Sequence, residues 1–142
     1  IETNCGREKA KLFNAAVIGN DDPERPFSIN LKKNKGLHSL VGKKGRDTVM
    51  VQCVNINTIL RDIKPNIVKM DTEGGEYEIL KSITDFSCID QLILEFHHAH
   101  LNDIPGHKKY FEIVELLRKQ FPFVHAREET KKAWIDLIYC HR

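Results

Sequence analysis

Short apolar runs alternate with charged breaks along this chain, and the most abrupt break lies at its centre. From Asn66 to Leu80 the order is Asn-Ile-Val-Lys-Met-Asp-Thr-Glu-Gly-Gly-Glu-Tyr-Glu-Ile-Leu. Ile67, Val68 and Met70 suit a buried strand, Gly74 and Gly75 let the backbone bend or approach a ligand, and Tyr77, Ile79 and Leu80 begin a helix whose other side is charged. The stretch therefore predicts strand, tight turn and helix, with Asp71 and Glu73 at the carboxyl end of the strand. In open α/β sheets ligands bind in the crevice outside such ends, so chemistry is sought here first. A plainer role for Glu73 and Glu76 is to favour the positive end of the helix that follows.

The flanking patterns build an α/β chain around that centre. The apolar run Leu12 to Ile18, ended by Gly19-Asn20-Asp21-Asp22-Pro23, predicts a buried strand. Phe27, Ile29 and Leu31 alternate with polar residues as in a half-exposed strand, and Val49, Val51 and Val54 predict another, antiparallel to it. Asn57 is expected to cap a helix with Ile59, Leu60 and Ile63 inward, ended by Pro65. Ile89 to Phe96 is a second strong strand running into His97, His98 and His100. Two strands joined by a helix form a right-handed β-α-β unit whose carboxyl ends share one edge, so Asp71 and the histidines should converge on one crevice. Tyr110, Ile113, Val114, Leu117 and Phe121 recur at helical spacing. Phe123 to His125 and Ala133 to Cys140 predict a closing hairpin, its last strand covered on both sides because apolar residues occupy both faces.

Composition narrows the class without changing the plan. The 142 residues make one domain with one sizeable core, and 22 basic against 20 acidic residues, a net charge of +2, give no reason to expect nucleic acid or an anionic membrane as partner. The basic run at Lys32, Lys33 and Lys35 with Lys43, Lys44 and Arg46 has no interleaved aromatics and reads as a solvated loop. Cys5, Cys53, Cys88 and Cys140 are far apart with no Cys-x-x-Cys pair, which predicts reduced thiols in a cytoplasmic protein. No apolar stretch reaches the length of a membrane span.

The segments Phe13-Asn14-Ala15-Ala16-Val17, Ile56-Asn57-Thr58-Ile59-Leu60, Lys69-Met70-Asp71-Thr72-Glu73-Gly74-Gly75-Glu76 and Ile93-Leu94-Glu95-Phe96-His97, in that order, resemble the FkbM-type S-adenosylmethionine-dependent methyltransferases. The hallmark of that family, Asp-x-Glu-Gly-x-Glu at the end of the fourth strand, keeps its spacing here. The resemblance implies a Rossmann-like methyltransferase sheet, mostly parallel with a C-terminal antiparallel hairpin, S-adenosylmethionine as cofactor, and Asn14 and Ala15 flanking the adenine at the end of the third strand. It covers the later part of the family domain only. The Asp-x-Gly-x-Asn turn and the Glu-Pro that members carry on their first two strands do not occur in this sequence. The N-terminal strands are accordingly expected to be missing, to be supplied by an upstream segment or a second copy, and the isolated chain is expected not to bind the cofactor at micromolar affinity.

Methyl transfer to a hydroxyl profits from a positioned base, worth roughly 10²–10⁴-fold. Asp71, His97 and His98 are the candidates, with His97 preferred because it shares a strand face with Glu95, while Glu73 orients substrate or closes the turn. The expected catalytic set is therefore Asp71, Glu73 and His97, acting on a small molecule or sugar. Two other readings fit the same residues: a metal-dependent hydrolase using Asp71 and Glu73 with His97, His98 and His100, and a non-catalytic remnant or interaction domain. Bound metal would mark the first and failure to bind cofactor the second.

Overall fold

A computed structural model describes residues 12–29, 47–97, 108–127 and 135–142. Its elements are β1 (Ala16–Ile18), β2 (Glu24–Ile29), β3 (Asp47–Asn55), α1 (Ile56–Ile63), β4 (Ile67–Met70), α2 (Glu76–Ser82), β5 (Gln91–His97), α3 (Lys108–Gln120), β6 (Phe123–Arg127) and β7 (Ile135–His141). The β-branched residues of β3 place it at the centre of a sheet ordered β1-β3-β2. Ala16 lies opposite Cys53 in the parallel pair, and Phe27 opposite Val49 in the antiparallel pair expected from their patterns.

The second sheet has the order β4-β5-β7-β6. Strands β4 and β5 run parallel with Met70 opposite Leu94, and α2 is the crossover between them. β7 lies between β5 and β6 and is antiparallel to both, so the closing hairpin is present. The strand pairing overall is mixed rather than mostly parallel: β1/β3 and β4/β5 are the parallel pairs among the described residues. Periodicity reports which residues share a face, but not which strand becomes a neighbour.

One face of this sheet carries the core. Leu92, Leu94 and Phe96 of β5 and Ile138 and Cys140 of β7 are buried with Ile79 and Leu80 of α2 and Ile113 and Leu117 of α3. Phe96 meets Tyr110 edge to face at 5.9 Å, and Phe86 meets Phe121 likewise at 6.1 Å. Leu137 and Tyr139 point the other way and are exposed, so β7 is covered on one side, not on both. Four apolar residues in a row were compatible with either outcome, because Leu and Tyr also occupy half-solvated sheet faces.

Local chemistry corrects two further expectations. The strand of the first apolar run begins only at Ala16, and Leu12 and Phe13 are exposed ahead of it. Helix α1 is capped by Asn55, whose side chain accepts from the Asn57 N–H at 2.9 Å. Asn57 instead links elements: its amide donates to the Ser82 carbonyl at the end of α2 (2.9 Å) and accepts from the Thr84 N–H (2.9 Å). Lys64, left-handed at φ 50°, closes α1 just before Pro65. Arg25 of β2 reaches Glu78 of α2 at 2.9 Å, and a Cβ on Gly19 would lie 2.9 Å from the Glu78 carbonyl oxygen. The close approach requires glycine there and holds the end of β1 against α2.

Candidate active site at the carboxyl edge of β4 and β5

The β4 strand ends at Met70 because the next residues form a turn that no regular strand accommodates. Glu73 and Gly74 both have positive φ, 52° and 109°, and a Cβ on Gly75 would stand 3.1 Å from Thr72 Oγ1. This turn wraps around a single carboxylate. Glu76, the first residue of α2, has no exposed surface and accepts from the Thr72 N–H (2.8 Å), the Thr72 hydroxyl (2.9 Å) and the Gly74 N–H (3.1 Å). Backbone N–H groups of one turn converging in this way, here from Thr72 and Gly74, form an anion cradle.

The fourth contact of Glu76 leads to β5. His97 Nδ1 lies 3.1 Å from Glu76 Oε1, while its Nε2 faces Glu73 at 3.8 Å and Asp71 at 3.9 Å. Asp71, Glu73 and His97 are thus brought together on neighbouring strands at one sheet edge, as the β-α-β geometry requires. Their exposure differs: the His97 side chain is 5% exposed, Glu73 26% and Asp71 37%. Desolvation works against charge at both members of the buried pair. The neighbouring charge outweighs it, so burial notwithstanding, the bond to His97 and the backbone donors hold Glu76 below the usual carboxylate range. Burial lowers the His97 pKa, but Glu76 first and then Glu73 and Asp71 raise it above its ordinary value.

Lys69 and Glu95 complete the rim. The Lys69 ammonium stands 3.5 Å from both Asp71 and Glu95, and the donor atoms of Asp71, Glu95 and His97 lie within 4.8 Å of one another. Glu95 therefore stands beside Asp71 and His97 as a further carboxylate of the site, and a lysine already supplies positive charge there. His98 and His100 lie outside the described residues. Sequence reasoning missed the burial of Glu76 and the bridging by Lys69. The sequence signal was the second glutamate of Asp-x-Glu-Gly-x-Glu, which a helix-dipole role explained too easily.

Asn14 and Ala15 do not join this group. They precede β1 rather than ending a strand, and line a cleft of about 280 Å³ with Phe13, Ala16, Phe27 and Val51. The sulfhydryl groups of Cys53, Cys88 and Cys140 are free, and burial pushes the Cys140 thiol up to about 12. No helix among the described residues is long and apolar enough to cross a membrane.

A mixed α/β fold with an acid-rich turn closing the strand before its crossover helix defines the class of protein. The sequence profile of the methyltransferase FkbM domain matches residues 3–125, and the chain belongs to that family. It has no significant match among curated proteins or among solved structures.

Proposed function

We propose that the protein transfers a methyl group from S-adenosylmethionine to an oxygen of a small molecule or sugar in the cytoplasm, with Asp71, Glu73 and His97 as its catalytic residues. The observation that supports this reading is the meeting of the three side chains at the carboxyl edge of β4 and β5, in a chain of the FkbM family. The residues present fit one end of the cofactor: the cleft at Asn14 and Ala15, walled by Phe13 and Phe27, suits a flat heteroaromatic group such as adenine. When bound, the cofactor supplies an electrophilic methyl carbon and leaves as a neutral thioether.

The remaining work falls to side chains of this chain. A hydroxyl acceptor must lose its proton as the new carbon–oxygen bond forms. Asp71 is the most exposed of the three, so it meets the acceptor and withdraws that proton. His97 stands behind it as the group to which the proton passes, and Glu73 orients the acceptor. Asp71→Asn keeps the volume but removes the charge. Turnover measured with radiolabelled methyl donor should fall by roughly 10²–10⁴-fold with folding intact. Near-normal turnover in the variant would overturn the assignment.

A further inference from the structure

We infer that Lys69 and Glu95 are specificity-determining residues of this site: with Asp71 they select an acceptor that carries hydroxyls on two neighbouring carbons, as sugars and cyclic polyols do. One hydroxyl meets Asp71, and its neighbour lies between Lys69 and Glu95. Methylation of the first hydroxyl rests on the methyltransferase reading, whereas recognition of the pair does not.

Strand register brings these side chains together. Lys69 stands opposite Ile93 in the parallel pair of β4 and β5, so alternation puts Lys69 with Ile93 and Glu95 on the sheet face away from the core, and Asp71 follows just beyond the end of β4. Both new members are open to solvent, Lys69 being 59% and Glu95 31% exposed. The Lys69 ammonium is suspended 3.5 Å from each carboxylate, beyond the roughly 2.7–2.9 Å of a charge-assisted N–H···O bond, and it has no closer ion-pair partner among the described residues. An exposed pair at that length contributes little to stability, so stability does not account for the arrangement. The ammonium donors and the two carboxylates are instead open to a ligand.

The order carboxylate, ammonium, carboxylate matches adjacent hydroxyls in kind. A hydroxyl both donates and accepts, whereas an ammonium only donates and a carboxylate only accepts. The hydroxyl beside the reacting one therefore accepts from Lys69 and donates to Glu95, while the reacting hydroxyl donates to Asp71. Carboxylate oxygens of Asp71 and Glu95 lie within 4.8 Å of each other, which suits neighbouring hydroxyls of one small ring better than hydroxyls on its opposite sides. A lone hydroxyl would engage Asp71 and leave the other two groups unused. The transfer balances: the O–H bond at Asp71 breaks and its proton passes to that carboxylate, the oxygen's pair bonds the methyl carbon, and the carbon–sulfur pair leaves with the sulfur. The neighbouring hydroxyl keeps its proton.

Three probes separate recognition from chemistry: 1,2-cyclohexanediol, its 1,4-isomer and cyclohexanol. Titrated into the unaltered protein without cofactor and followed by backbone amide shifts, the 1,2-diol should bind roughly 10–10²-fold more tightly than either of the others, with shifts at Lys69, Asp71 and Glu95. Equal affinities, or a 1,2-diol that does not bind, would overturn the inference. Lys69→Met and Glu95→Ala should each remove most of that preference. Variants that weaken all three probes alike have merely loosened the site, and that result also overturns it. With methyl donor present the same preference should appear in kcat/KM. A 1,2-diol bound as expected but not methylated would retire the methyltransferase reading alone, leaving Lys69 and Glu95 as the residues that hold a diol.

Discussion

A carboxylate without exposed surface needs a donor for each lone pair it presents, and at Glu76 the donors come from the residues just before it in sequence. Thr72 supplies two and Gly74 one, and the chain reaches this arrangement only by passing through two left-handed residues in succession. At Glu73 the cost of φ 52° is borne by a residue that tolerates it poorly. Gly74 at φ 109° lies where a side chain is rarely accommodated at all. Gly74→Ala should therefore destabilise the fold by about 1–3 kcal/mol, measured as a lowered urea midpoint with unchanged slope. The same substitution should loosen the Gly74 N–H from Glu76 and broaden the His97 imidazole resonances. The glycine pair was legible in the sequence as a backbone requirement. The carboxylate it encloses was not, because burial of a charged residue depends on donors whose convergence only the folded turn reveals.

The joined elements β4, α2 and β5 carry a pH dependence that follows from the same pair. The folded pKa of Glu76 lies below its ordinary 4.5, so its contribution to stability is complete above that value and is lost as pH falls through the depressed one. The folded pKa of His97 lies above its ordinary 6.5, so its contribution is complete below 6.5 and is lost as pH rises through the raised one. Between about pH 4.5 and 6.5 both terms are fully present. Urea unfolding across that range should show the greatest contribution there, and Glu76→Gln should flatten both flanks. At this scale the sequence served well where one signal dominates: the β-α-β unit, the antiparallel β2/β3 pair and the closing hairpin follow from apolar period and breakers. It served less well where two neighbours compete. Asn55 and Asn57 are both capable caps, and the choice fell to Asn55 because Asn57 is held by Ser82 and Thr84 across the structure.

Across the whole molecule the two faces of the β4-β5-β7-β6 sheet differ in kind. Alternation along β5 sends Leu92, Leu94 and Phe96 into the core and leaves Ile93 exposed, and β7 repeats the division with Ile138 and Cys140 against Leu137 and Tyr139. The exposed side is not bare of order: Phe123 stacks on His141 at 4.6 Å, and His141 on Tyr139 at 5.4 Å. These contacts explain why apolar residues appear on both faces of β7 in the sequence although, among the described residues, helices cover only one, and why pattern alone predicted two covered faces. Adjacent residues on β5 provide the contrast that measures the division. Leu94 has no exposed surface, and Leu94→Ala removes buried methyl groups and opens a cavity between the sheet and its helices, which should cost about 2–5 kcal/mol. Ile93 is 39% exposed, and Ile93→Thr keeps the β-branched shape that strands favour, so its cost should stay within about 1 kcal/mol. Urea unfolding of the two variants beside the unaltered protein decides the matter: comparable large losses would mean that the second face is covered in solution after all, as the apolar pattern first suggested.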